Sequence, residues 1–151
     1  MKRMILILSA ALLLVWSVSA TADQQNDAKE LVEKAIQFFS EKGKEYALKV
    51  VGASNGPLRK DGGLYVFAFT LDGTGLAHPY NPKLLGPQWN LQDINGKYII
   101  QDFVAVAKDP GSGWTEYHWN KPGETKPVAK KTYIMRVPGE EIFVGCGYYA
   151  E

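Results

Sequence analysis

Cysteine is almost missing from this chain. Cys146 is the only one in 151 residues, so no internal disulfide can form and no haem or zinc spacing surrounds it. It sits in an apolar run, which predicts a buried, inert thiol. Histidine is nearly as scarce. His78 and His118 are far apart with no spaced ligand motif, which argues against a metal. The chain has no Gly-x-Ser-x-Gly elbow, no phosphate loop and no His-Glu-x-x-His helix, and nothing orders its Ser, His and Asp residues into a catalytic set. No enzyme activity is expected and no cofactor is implied. An excess of one charge is also lacking. With 17 Lys and Arg against 16 Asp and Glu, the net charge is +1, which gives nucleic acid no electrostatic footing.

Only one long apolar run is present. Lys2 and Arg3 precede Met4 to Val18, and Ser19-Ala20-Thr21-Ala22 follow. A charged start, an apolar stretch and small residues read as a secretory leader. Residues 1–22 are the expected leader, cut before Asp23, with a cut after Ala20 as the close second. The run is short for a span of about 20 residues, and no Cys follows it to carry a lipid. The expected product is soluble, periplasmic or secreted.

Residues 23–151 read as one domain. Ala28, Leu31, Val32, Ala35, Ile36 and Phe39 recur at three- and four-residue steps and predict an amphipathic helix. Gly43 breaks it, and Tyr46, Val50 and Val51 mark a shorter piece. The stripe is too short for a heptad seam. Phe38 and Phe39 are therefore expected to pack on the domain, leaving a monomer or weak dimer. Leu64 to Leu71 alternates, with Tyr65, Phe67 and Phe69 on one face, and Asp72-Gly73 turns it into a hairpin. Pro82 to Leu85 predicts one helical turn, and Lys97 to Ala107 a helix. Strands are expected over 114–120, 128–137 and 142–149, separated by Pro/Gly turns. In the last, Gly145 and Gly147 predict a bulge or a close backbone approach. The sum is α+β, a five-stranded antiparallel sheet with its helices gathered on one face.

In order along the chain come Tyr65-Val66-Phe67, Asp72-Gly73-Thr74, His78-Pro79 and Leu85-Gly86. Asp93-Ile94-Asn95-Gly96-Lys97 follows, then Gly113, Tyr117 and Trp119, then Lys131-Thr132-Tyr133, then Gly145-x-Gly147-x-Tyr149. This ordered set, from about Ala28 to the C-terminus, resembles the single Cache domain family. The resemblance implies a PAS-like fold and an extracytoplasmic sensor of small molecules, often short carboxylates. Most relatives sit between two membrane spans ahead of a chemotaxis or kinase module. This chain shows no second span, so it is expected to bind a ligand without itself signalling across a membrane, with a membrane receptor as possible partner.

The candidate ligand-binding residues are Lys131, Tyr133, Tyr117, Trp119, His78, Trp89 and Tyr80. Lys131 is the one cation on a strand face otherwise made of Ala129, Tyr133 and Met135, and such a charge needs a partner. A small organic acid could supply it; a structural carboxylate or exposure to solvent would also satisfy it. Tyr133, Tyr117 and His78 could donate hydrogen bonds, while Trp119 and Trp89 could wall the ligand and Tyr80 could cover it. The alternative function is an accessory protein that docks on a receptor through an exposed apolar face at Phe38 and Phe39.

Overall fold

The computed structural model describes residues 14–150. The charged start and most of the apolar run of the expected leader lie outside the described residues. From Leu14 the chain is one α-helix, α1 (Leu14–Lys42), which continues through the expected cleavage positions. Gly43, with φ of 83°, ends it, and α2 (Lys44–Val51) follows. Glycine adopts this left-handed conformation at little cost, so the break falls where the sequence predicts.

The sheet holds five substantial strands: β2 (Leu64–Thr70), β3 (Thr74–Ala77), β5 (Ser112–Asn120), β6 (Pro127–Arg136) and β7 (Ile142–Tyr149). Two short strands, β1 (Arg59–Lys60) and β4 (Gly86–Pro87), bring the total to seven among the described residues. They are two residues long, too short to show alternation in sequence. All pairings are antiparallel and the order is β4-β3-β2-β7-β6-β5, with β1 paired to β2. The last strand thus inserts centrally, between β2 and β6.

The fold is α+β and PAS-like, with one change in layering: helical cover falls on both sheet faces. Ala28, Leu31, Val32, Ala35 and Phe39 of α1 pack with α2 against Leu64, Val66, Val144 and Cys146. The opposite face carries Tyr65, Phe67, Phe69, Ile134 and Phe143, covered by α3 (Ile99–Lys108) and the segment leading to it. Alternation in β2 builds both cores at once, since successive side chains point to opposite faces. Phe39 is buried, and Phe38 is partly buried beside Tyr46, their ring centroids 6.0 Å apart. Phe38 and Phe39 thus pack on the domain as expected, and the apolar patch that the alternative docking reading needs is largely used within it.

The edge strand β5 is guarded by the 93–97 turn. Asp93 accepts from the backbone N–H of His118 at 3.0 Å, and Lys97 Nζ donates to the Glu116 carbonyl at 2.6 Å. These contacts occupy backbone groups that would otherwise invite another strand.

Candidate functional site

Two adjoining cavities lie on the α3 face of the sheet. The inner one is apolar, walled by Phe67, Phe69, Leu84, Ile100 and Phe103 among others, and offers about 20 Å³. That is room for about one water molecule. The outer one is polar, offers about 340 Å³, and lies between Tyr80-Asn81 and the turn at 120–124. Tyr65, His78 and Trp119 line both. These three come from the start of β2, the end of β3 and the end of β5, so the junction sits where three strand ends meet.

His78 is held by its own turn. Its Nδ1 accepts from the backbone N–H groups of Tyr80 and Asn81, at 3.2 and 3.0 Å. Those bonds require a neutral ring with its proton on Nε2. Burial, aided by the Lys130 charge, pushes the His78 pKa down from 6.5 to about 3. Among the described residues no buried side-chain nitrogen or oxygen lacks a partner. His78 Nε2 and the Trp119 indole nitrogen have no hydrogen-bond partner among the described residues, so both N–H groups open onto accessible space. The His78 ring is fixed between Tyr65 and Phe67, with centroids at 5.0 and 6.4 Å. Tyr80, edge-on to Tyr65 at 5.2 Å, flanks the outer cavity.

Beneath this junction lies a fully buried cation, Lys130. Its Nζ donates to Tyr65 Oη at 3.1 Å and stands 4.2 Å from the Tyr65 ring centroid and 5.0 Å from that of Tyr149. No carboxylate pairs with it among the described residues. Burial acts against its charge; the surrounding Tyr117, Tyr65 and Tyr149 outweigh that and raise its pKa. Ring faces attract an ammonium through their quadrupoles. Tyr117, opposite Lys130 in the β5–β6 register, shares a hydrogen bond with Thr132 at 3.1 Å. Burial pushes its hydroxyl pKa up, so it stays protonated.

The sequence-predicted set divides. His78, Tyr117, Trp119 and Tyr80 line the cavities. Lys131, Tyr133 and Trp89 do not. Lys131 is exposed and faces Glu116 at 3.8 Å. Tyr133 packs on the α1 side, 5.2 Å from Trp114. Both follow from strand parity: they occupy the face opposite Lys130 and Thr132. Trp89 is exposed and lies over the hairpin turn, where a Cβ on Gly73 would come within 2.8 Å of its ring. Sequence reasoning missed Tyr65 and Lys130. Tyr65 shared an aromatic face with Phe67 and Phe69 and was legible as core. Lys130 and Lys131 are adjacent lysines, and composition cannot say which faces inward.

A PAS-like sheet with a donor-lined cavity on one face and a long helix on the other is the architecture of a small-molecule-binding domain. The family model described as "Single Cache domain 2" matches residues 17–151, and the chain belongs to that family. It is 32% identical over 121 residues to the methyl-accepting chemotaxis protein McpP of Pseudomonas putida, a match covering 80% of this chain and 22% of that protein. It is 31% identical over 93 residues to the sensor histidine kinase MctS of Rhizobium johnstonii, covering 61% of this chain and 20% of that protein. The chain thus spans about a fifth of the length of these curated relatives. Among solved structures it resembles a periplasmic sensor domain of a chemotaxis protein, with 29% identity, a TM-score of 0.69, and coverage of 94% of this chain and 100% of the other. It also resembles a Cache chemosensory domain studied for carboxylic acid recognition, with 25% identity, a TM-score of 0.68, and coverage of 93% and 97%. Among the described residues no helix is long and apolar enough to cross a membrane.

Proposed function

We propose that the junction of the two cavities binds a short carboxylic acid or a similar small anion, as the input of a sensor. Lys130 carries this reading: a fully buried ammonium with no carboxylate partner among the described residues, set behind a cavity ringed by O–H and N–H donors. A buried cation is unfavourable unless compensated. Tyrosine hydroxyl and ring faces compensate in part, and a bound anion adds a full charge. His78 Nε2 and the Trp119 indole can donate to a carboxylate while staying neutral. The apolar inner cavity, with room for about one water molecule, limits the tail to about one methyl-sized group. The likeness to a domain that recognises carboxylic acids supports the same class of ligand.

The reading includes export: Lys2, Arg3 and the apolar run to Val18 act as a leader cut at Ala20 or Ala22. N-terminal sequencing of protein recovered outside the cytoplasm should begin at Thr21 or Asp23; intact Met1 in washed membranes would contradict it. Onward signalling then passes to a membrane partner related to the receptors above. The ligand class is tested by a thermal-shift screen of residues 23–151 against short mono- and dicarboxylic acids, amino acids and amines. A short acid should raise the melting temperature by mass action, and amines should not. If no acid shifts it, the proposal fails.

A further inference from the structure

Lys130 lines neither cavity. Its ammonium lies behind Tyr65, bonded to that hydroxyl at 3.1 Å, and Tyr65 is one of the three residues that line both cavities. To get there the side chain leaves β6, crosses the central strand β7 and ends on β2. It crosses at Gly147. A Cβ built on Gly147 would stand 2.6 Å from Lys130 Cε, 2.2 Å from Thr132 Oγ1 and 2.9 Å from the Lys131 carbonyl. Real Cβ atoms do not come so close, so any side chain at 147 must displace Lys130 and Thr132. The backbone there is ordinary strand, without a positive φ. Glycine at 147 therefore answers to space and not to conformation, even though it weakens a strand interior.

We infer that Lys130 acts on the ligand through Tyr65 rather than by touching it, and that Gly147 is the positioning residue whose bare Cα opens the slot this requires. This rests on the anion-binding reading above. When the ammonium donates to Tyr65 Oη, it occupies an acceptor site on that oxygen and draws electron density from it. The hydroxyl proton is then the group left to point at the cavity, and it is a stronger donor for the withdrawal. Tyr149 holds the ammonium from the other side; its ring centroid is 5.0 Å away, and its own hydroxyl is anchored on the Asn120 carbonyl at 2.8 Å.

The two arrangements differ in coupling, which a double-mutant cycle reads directly. Calorimetry would measure the affinity of the best acid from the screen for wild type, Lys130→Met, Tyr65→Phe and the double variant. Acting through Tyr65, Lys130→Met should weaken binding about tenfold or more in the wild type and less than about twofold in the Tyr65→Phe background, a coupling of about 1 kcal/mol or greater. An equal loss in both backgrounds means that Lys130 meets the ligand directly and overturns the inference, while leaving the anion reading intact. Gly147→Ala supplies the second arm. It should weaken binding about tenfold when Lys130 is present and little when Met replaces it. Gly145→Ala is the control, because its Cβ would meet Phe67 and Ile134 at 2.6 and 2.7 Å, away from Lys130; it should lower the melting temperature without that dependence on residue 130. Wild-type affinity in a folded Gly147→Ala protein would overturn the slot. Absence of acid binding to the wild type would overturn both this inference and the reading beneath it.

Discussion

Lys130 and Lys131 are neighbours in the chain with opposite surroundings. One is fully buried among tyrosines and the other is exposed beside Glu116. Exposed ion pairs contribute about 0–1 kcal/mol, so Lys131→Gln should change stability by less than about 1 kcal/mol and leave acid binding at its wild-type level. A clear loss of affinity on calorimetry would return Lys131 to the site. His78 offers a second test at this scale. In the folded chain its pKa falls to about 3, against 6.5 ordinarily, because of burial and the Lys130 charge. Between those values the unfolded chain holds a proton that the folded chain refuses. Stability is therefore whole above pH 6.5 and falls as pH drops from 6.5 toward 3, by up to about 1.4 kcal/mol per pH unit from this one group. His78→Asn keeps an acceptor for the turn and removes the titration. Urea unfolding above and below pH 6.5 should show a shallower loss in the variant, and identical slopes would contradict the assignment.

At the scale of elements, α1 is held by one stripe. Ala28, Leu31, Val32 and Ala35 are each at most 3% exposed, against strands β2, β6 and β7. The helix also reaches the chain beyond α2, where Lys60 pairs with Asp27 and with Glu30, the latter at 3.1 Å; this pairing holds the Lys60 pKa above its ordinary value. Exposed pairs of this kind add little. Truncating the stripe is different, because the lost contacts leave a void between helix and sheet. Leu31→Ala should destabilise the domain by about 2–5 kcal/mol, measured by chemical denaturation. A change below about 1 kcal/mol would mean that α1 is not docked as described. The central place of β7 has the same logic. Gly145 and Gly147 remove two side chains from a strand buried on both faces, and the space is filled by Phe67 and Ile134 at one and by Lys130 and Thr132 at the other.

For the whole molecule, the site draws on β2, β3, β5 and β6, so a ligand there ties together most of the sheet. Saturation at about 100 times Kd should add about 2.7 kcal/mol to global stability. The urea midpoint should rise with an unchanged slope, because the surface exposed on unfolding stays the same. A changed slope would indicate that the ligand orders a segment instead. Much of this molecule was legible beforehand. The helix break at Gly43, the Asp72-Gly73 hairpin and the strand spans follow from local rules: left-handed glycine, alternation and turn chemistry act over a few residues. The ordered short motifs were enough to suggest the family. Four of the seven candidate residues line the cavities: Tyr117 and Trp119 share one face of β5, where alternation places them together, and His78 and Tyr80 lie in the segment that follows β3.

The amino-acid sequence alone thus determined the element types, their order and the presence of a lysine near tyrosines. Tertiary structure decided which lysine. A strand has a period of two, so two adjacent lysines must face opposite ways, and only the packing of β6 between β5 and β7 sets which one turns inward. The same holds for the layering. Local pattern marks α3 as amphipathic, but whether it covers the face already taken by α1 or the other depends on how the chain crosses the sheet, a long-range choice made by burying both faces of β2 and β7 at once.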